Sequence, residues 1–212
     1  MINTKKINVT YIIDSIGWAG AQTHLISVLT NIDYNKFNVS VICLRSEGEQ
    51  FEILEDLGIT SLVLNLENLM SPLKTLKAIF RIKRFLRKNK TNIFQSYMFN
   101  PNLLASIIAW IPWKSFKLIT TRRDTGYWHQ KHHWWLYRFM NLLTDKVIAV
   151  SSEVRQECIK KEGVSPDKII TIYNGIDLNV YSDKIFDRNK VRKNFGIKDD
   201  EYVIGMLAAL KT

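Results

Sequence analysis

Short apolar runs alternate along this chain with stretches in which apolar residues recur every three or four positions. The runs Ile7–Ile13, Phe37–Leu44, Ser61–Leu66, Asn92–Tyr97, Lys117–Thr121, Lys146–Val150 and Ile169–Ile172 predict seven strands. The second, Phe37–Leu44, is mostly apolar, which is the pattern of a parallel sheet covered on both sides. Between them, helical periodicity predicts helices over 21–32, around Phe51, Leu54 and Leu57 up to Gly58, from Pro72 to about Lys88, over 103–111, up to about Leu143, and over 154–162. Regular alternation of the two patterns predicts an α/β doubly wound parallel sheet.

The segment opened by Pro72 is the most strongly patterned. Leu73, Leu76, Ile79, Phe80 and Leu86 form an apolar stripe expected to face the sheet, while Lys74, Lys77, Arg81, Arg84 and Lys88 recur on the other face. The same pattern also suits a helix lying in a membrane interface. Charge sharpens that choice. The chain of 212 residues carries a net charge of +10. No Asp or Glu occurs between Asn68 and Arg123, whereas twelve of the 30 Lys and Arg residues lie there, so the other 18 nearly cancel the 20 acids. The excess belongs to one region and points to an anionic surface: phospholipid headgroups, a nucleotide or polyprenyl phosphate, or nucleic acid.

Candidate chemistry begins in Asp14-Ser15-Ile16-Gly17-Trp18-Ala19-Gly20-Ala21, between the first strand and the first helix. Glycines there allow a tight turn, and the helix behind them offers unpaired N–H groups to a phosphate; equally, a glycine in that position can simply make the corner. Ligands of open α/β sheets sit beyond the carboxyl ends of the strands, so Tyr97–Asn102, Arg122–Asp124, Ser151 with Ser152, and Asn174–Asp177 join the candidates. Ser151-Ser152-Glu153 also resembles a helix cap. His129, His132 and His133 have helical spacing, but the aromatic rings around them favour packing or an amphipathic surface over metal ligation. His24 reads as a cleft-rim or packing residue. Cys43 and Cys158 lie in core-like patterns and match a reducing compartment. No uncharged apolar run reaches the ~18 residues of a membrane span, and the N-terminus lacks a signal-peptide pattern.

From Leu178 to Lys190 the chain turns polar, and Tyr202–Leu207 reads as a fresh strand at the end. The expected organisation is a domain over 1–177, a linker with a short helix over 178–201, and the first strand of a further domain over 202–212.

Three phrases together resemble the N-terminal half of a family 4 glycosyltransferase of the retaining GT-B class: Ala19-Gly20-Ala21-Gln22-Thr23-His24-Leu25, Val147-Ile148-Ala149-Val150-Ser151-Ser152-Glu153-Val154, and Asn174-Gly175-Ile176-Asp177. The resemblance covers nearly the whole chain, with 203–210 similar to the first strand of a C-terminal domain. It implies a Rossmann-like acceptor domain opposite a donor domain, and transfer of a sugar from a nucleotide-sugar to a lipid-linked or saccharide acceptor in cell-surface polysaccharide synthesis. It also implies no required metal or cofactor, and little transfer by this polypeptide alone. Gly20 and Ala19 would meet the donor diphosphate, Arg123 and Asp124 would line the acceptor side as catalytic candidates, and Ser151, Asn174 and Gly175 would border the cleft. The expected location is cytoplasmic, peripheral at the inner face of the cell membrane.

Two other classes fit less well. A dinucleotide-dependent oxidoreductase needs G-x-G-x-x-G spacing and an acid after the second strand, and Gly17-Trp18-Ala19-Gly20 and Leu44-Arg45 supply neither. A basic membrane- or nucleic-acid-binding module without catalysis would explain the charge block, yet no nucleic-acid motif accompanies it, so no nucleic-acid partner is expected.

Overall fold

The computed structural model describes residues 6–67, 69–112, 115–126, 130–176, 178 and 187–206. Seven strands, β1 (Ile7–Ile13), β2 (Phe37–Cys43), β3 (Thr60–Val63), β4 (Ile93–Ser96), β5 (Lys117–Arg122), β6 (Lys146–Ala149) and β7 (Ile169–Thr171), form one sheet in the order β3-β2-β1-β4-β5-β6-β7. Every pairing is parallel. The predicted doubly wound α/β architecture is therefore present. The chain divides into two units, 1–175 and 176–212.

In the first unit, helices α1 (Gly20–Asn31) and α2 (Glu52–Asp56) follow the first two strands, and α3 (Pro72–Lys88), α4 (Phe99–Trp110), α5 (Lys131–Leu143) and α6 (Ser152–Glu162) follow the next four. Side chains alternate across each strand, which splits the core into layers. Ile12, Ile42, Phe94 and Leu118 pack with Ile82, Leu86, Leu104 and Ile108 of α3 and α4. Val9, Tyr11, Ile13, Val41 and Tyr97 pack on the opposite face with Leu25, Leu29 and Leu54. Burying even one such Leu or Ile stabilises the fold by roughly 1.5–3 kcal/mol, so these two layers dominate its stability.

Three expectations need correction. The side chains of α3 that enter the core are Ala78, Ile82 and Leu86, whereas Leu73, Leu76 and Phe80 of the expected sheet-facing stripe are 81%, 65% and 71% exposed. Helix α4 begins at Phe99, four residues before the expected start, because a proline in the first turn forfeits no helical hydrogen bond. Buried Asn102 fixes that turn, accepting from the Ser96 hydroxyl (2.6 Å) and donating to the Thr121 carbonyl (3.0 Å). In the second unit, 202–206 forms no strand, with Tyr202 and Ile204 fully exposed; a strand needs a neighbour to pair with, and none lies beside it among the described residues. Leu207–Leu210, and most of the linker read at 178–190, lie outside the described residues. That unit holds α7 (Arg188–Asn194), capped by Asp187, whose carboxylate accepts from the Asn189 and Lys190 N–H groups.

Candidate active site

Because the sheet is wholly parallel, the carboxyl ends of all its strands share one edge. At β1 the chain leaves through the Asp14–Ala19 loop, which is pinned to the loop after β2. The Ile16 N–H donates to the Glu47 carbonyl (2.8 Å), the Gln50 N–H to the Ile16 carbonyl (2.9 Å), and the Gln50 amide to the Gly17 carbonyl (2.7 Å). Gly48 makes the approach possible: its φ is +87°, and a Cβ there would stand 2.4 Å from the Ile16 oxygen. The sequence reading passed over this glycine, since only the packing of two loops reveals the need for it. Gly20 differs. A Cβ on it would meet nothing within 4 Å, so the fold leaves the space above it open. Ala19 is the N-cap of α1 and brings no side-chain acceptor, which leaves the first N–H groups of that helix uncapped.

Across the edge, β4 is followed by Tyr97 and β5 by Arg123. The guanidinium of Arg123 lies 5.7 Å from the centre of the Tyr97 ring and donates to the Asn174 side-chain oxygen at 2.8 Å. His24, one turn into α1 from Gly20, also packs against Tyr97, ring centres 6.0 Å apart. Burial, and then the charge of Arg123, lowers the His24 pKa to about 4, so its imidazole is neutral at physiological pH. Its Nδ1 is buried without a hydrogen-bond partner in the described structure. Burial also lowers the pKa of Arg123 and raises that of Tyr97, which leaves the arginine cationic and the phenol neutral. Gly175 closes a cavity of about 300 Å³ against His24, Ser27, Val28 and Asn31 of α1. Met98, next to Tyr97, holds φ +72° and ψ 171°, a conformation that costs a non-glycine residue about 1–3 kcal/mol and is common beside functional sites.

The candidates therefore fall into two groups. Gly20, Arg123, Asn174 and Gly175 gather around His24 and Tyr97. Asp124 is exposed beside Arg123, one carboxylate oxygen accepting from the Gly126 N–H at 2.7 Å. Ser151 works as the N-cap of α6, its hydroxyl oxygen accepting from the Val154 N–H at 3.2 Å. Of the histidine group, His133 accepts the Gln130 N–H on Nδ1 and lies edge-on to Phe99, while Tyr127, Trp128, His129 and Asp177 lie outside the described residues. Of the aromatic rings around these histidines, Tyr137 is buried, as packing requires, and Trp135 is 70% exposed.

Residues 18–180 match the family described as Glycosyltransferase Family 4. The chain belongs to glycosyltransferase family 4. Over 200 residues it is 26% identical to the UDP-Gal:alpha-D-GlcNAc-diphosphoundecaprenol alpha-1,3-galactosyltransferase of Escherichia coli, covering 91% of this chain and 51% of that protein. Its fold is that of Anabaena HepE, solved with UDP and glucose (TM-score 0.69, 18% identity, 90% of this chain and 50% of that one). It is also that of a glycosyltransferase from Rickettsia africae (TM-score 0.66, 16% identity, 92% and 51%). The chain spans about half the length of these relatives. The matched region of this family 4 chain contains Gly20, His24, Tyr97, Arg123, Asn174 and Gly175.

Proposed function

We propose that this chain forms the acceptor side of a retaining glycosyltransferase that moves a sugar from a nucleotide-sugar to a lipid-linked or saccharide acceptor in cell-surface polysaccharide synthesis, working at the inner face of the cell membrane. The observation that carries the reading is Arg123, a half-buried cation held between Tyr97 and Asn174 at the edge where α1 presents uncapped N–H groups. Family membership and the name of the Escherichia coli relative, which specifies a UDP-sugar donor and a diphosphoundecaprenol-linked acceptor, support it.

In this reading the leaving nucleotide diphosphate gains charge in the transition state. N–H groups around Ala19 and Gly20, fixed in place before the reaction, stabilise that charge without reorganising. Arg123 offers two N–H donors on one plane to a diphosphate or a sugar hydroxyl on the acceptor. Asp124 stands beside it as an acceptor of hydroxyl protons, and neutral His24 can accept a hydrogen bond on its unpartnered nitrogen. Asn174 and Gly175 border the same space, while Ser151 caps α6. No helix among the described residues is long and apolar enough to cross a membrane, so contact with a lipid-linked acceptor is made from the surface.

The test is calorimetric titration of the chain with N-acetylglucosamine diphosphate carried on a short, soluble lipid. Wild-type protein binds it, and Arg123→Met weakens binding by tenfold or more, the loss expected when a charge-assisted contact is removed. Equal affinity for the two proteins, or no binding by either, overturns the assignment.

A further inference from the structure

Helix α3 presents to solvent what amphipathic helices normally hide. With Ala78, Ile82 and Leu86 in the core, the opposite face shows Leu73, Leu76 and Phe80 along its first half, and Arg84, Arg87 and Lys88 along its second. Leu73, Leu76 and Phe80 line an apolar groove of about 580 Å³ that Ile111, just after α4, closes on the far side. Beside Ile111, Trp110 is 69% exposed and lies edge-on to Phe139 of α5, ring centres 6.3 Å apart, so the apolar surface continues across three helices. A second groove of about 760 Å³ joins the first at Phe80 and carries Lys83, Arg84, Arg87 and Lys88.

Apart from Lys83, which donates to the Pro112 carbonyl at 3.5 Å, the cations of this face have no carboxylate or carbonyl partner among the described residues. Of the twelve basic residues in the acid-free region, Arg122 is paired with Glu162 in the core and Lys117 with Asp145. Arg81 donates to the Val63 and Leu64 carbonyls, and Arg123 stands at the crevice. Among the described residues no carboxylate pairs with Lys77, Arg84, Arg87 or Lys88. The net excess of positive charge is thereby concentrated beside the exposed leucines.

We propose that the outer face of α3, with the end of α4 beside it, seats on a bilayer containing anionic lipid. Leu73, Leu76 and Phe80 enter the boundary between headgroups and acyl chains, and Lys77, Lys83, Arg84, Arg87 and Lys88 meet the lipid phosphates. The two halves of the face need each other: apolar ridges alone fit any greasy surface, whereas ridges ringed by cations fit one that is apolar below and anionic at its rim. Nucleic acid would match the cations but leave three large aliphatic and aromatic groups in water. The inference deepens the reading of a membrane-borne acceptor and rests on it, by naming the surface that brings the crevice to that acceptor.

Sedimentation of the 212-residue chain with vesicles tests it. Wild-type protein pellets with phosphatidylglycerol mixed into phosphatidylcholine and stays in solution with phosphatidylcholine alone. Leu76→Ser with Phe80→Ser weakens partition by about a hundredfold or more, and Arg84→Gln with Lys88→Gln by about fivefold per cation, a loss that added salt reproduces in the wild type. All four side chains are exposed, so unchanged melting temperatures show that the fold is intact. Unaltered vesicle binding in both variants overturns the proposal. So does a wild-type chain that ignores vesicles and binds an oligonucleotide through Arg84 and Lys88, or self-associates through Leu76 and Phe80. A wild-type chain that binds the soluble acceptor but no vesicle sinks this surface alone; one that binds vesicles through these residues but not the soluble acceptor sinks the acceptor assignment alone.

Discussion

Arg122 and Arg123 are adjacent in the chain and occupy regions with opposite physics. Arg122 turns toward α5 and α6, where it is 3% exposed. It donates to Glu162 at 2.8 Å and to the Asn141 side-chain oxygen at 3.0 Å, and the Tyr137 ring lies 4.4 Å from its guanidinium carbon. Arg123 turns to the other face of the sheet and stops at the crevice, half-buried between Tyr97 and Asn174. The period of two along a strand produces the split. The first arginine pairs its charge with Glu162 inside the protein, and the second keeps donors for something else. Identical side chains one residue apart can thus hold the fold together in one region and serve a ligand in the next.

Breaking the buried pair gives the largest effect. Removing one partner strands the other as an uncompensated charge, so Glu162→Leu should lower the unfolding free energy by about 3–5 kcal/mol. Glu162→Leu combined with Arg122→Leu should recover much of that loss, since the desolvation penalty leaves with the charge. Urea denaturation of the two variants measures both, and a double variant no more stable than the single would contradict the account. Arg123→Met lies on the other side of the comparison. Its bond to Asn174 is at the surface, where such contacts contribute about 1 kcal/mol or less, so the same denaturation experiment should barely register it. The tenfold loss of acceptor affinity then appears in a protein of normal stability. A large stability loss in Arg123→Met would show that both arginines are structural.

How far the sequence anticipates these regions depends on the range of the contact. Seven strands and their parallel sense were legible because each is a local apolar run between helical segments. The strand-end residues followed from parallel topology alone. The partners of Arg122 were not legible: Glu162 is forty residues away, and nothing local distinguishes it from the exposed acids. The pairing of His24 with Tyr97 is likewise a product of tertiary packing. On α3 the periodicity was read correctly and its direction was not. At about 100° per residue, Leu73, Leu76 and Phe80 point roughly opposite to Ala78, Ile82 and Leu86, so the helix has two apolar stripes, and a single-stripe reading merges them. Ser151 shows the same limit: its cap signature and its strand-end position were both visible, and the structure supports the cap.

His24 offers the finest test of the division between the two regions, because its titration reports on the crevice without touching the core. Its pKa falls from 6.5 to about 4, first because the ring is partly desolvated and then because Arg123 faces it. In the unfolded chain the ring binds a proton near pH 6.5, whereas in the folded protein it resists until about pH 4. The unfolded state therefore holds more protons across that window, and stability must fall as the pH drops through it. With solvent screening of a partly exposed group the contribution is on the order of 1 kcal/mol. Melting temperatures of the wild type and His24→Gln, compared between pH 7 and pH 4, should converge as acid removes the wild type's advantage. Arg123→Met should shrink the same slope, since one of the two causes leaves with the guanidinium. If the slope survives Arg123→Met unchanged but vanishes in His24→Gln, burial alone sets the shift and the arginine's field is spent elsewhere in the crevice.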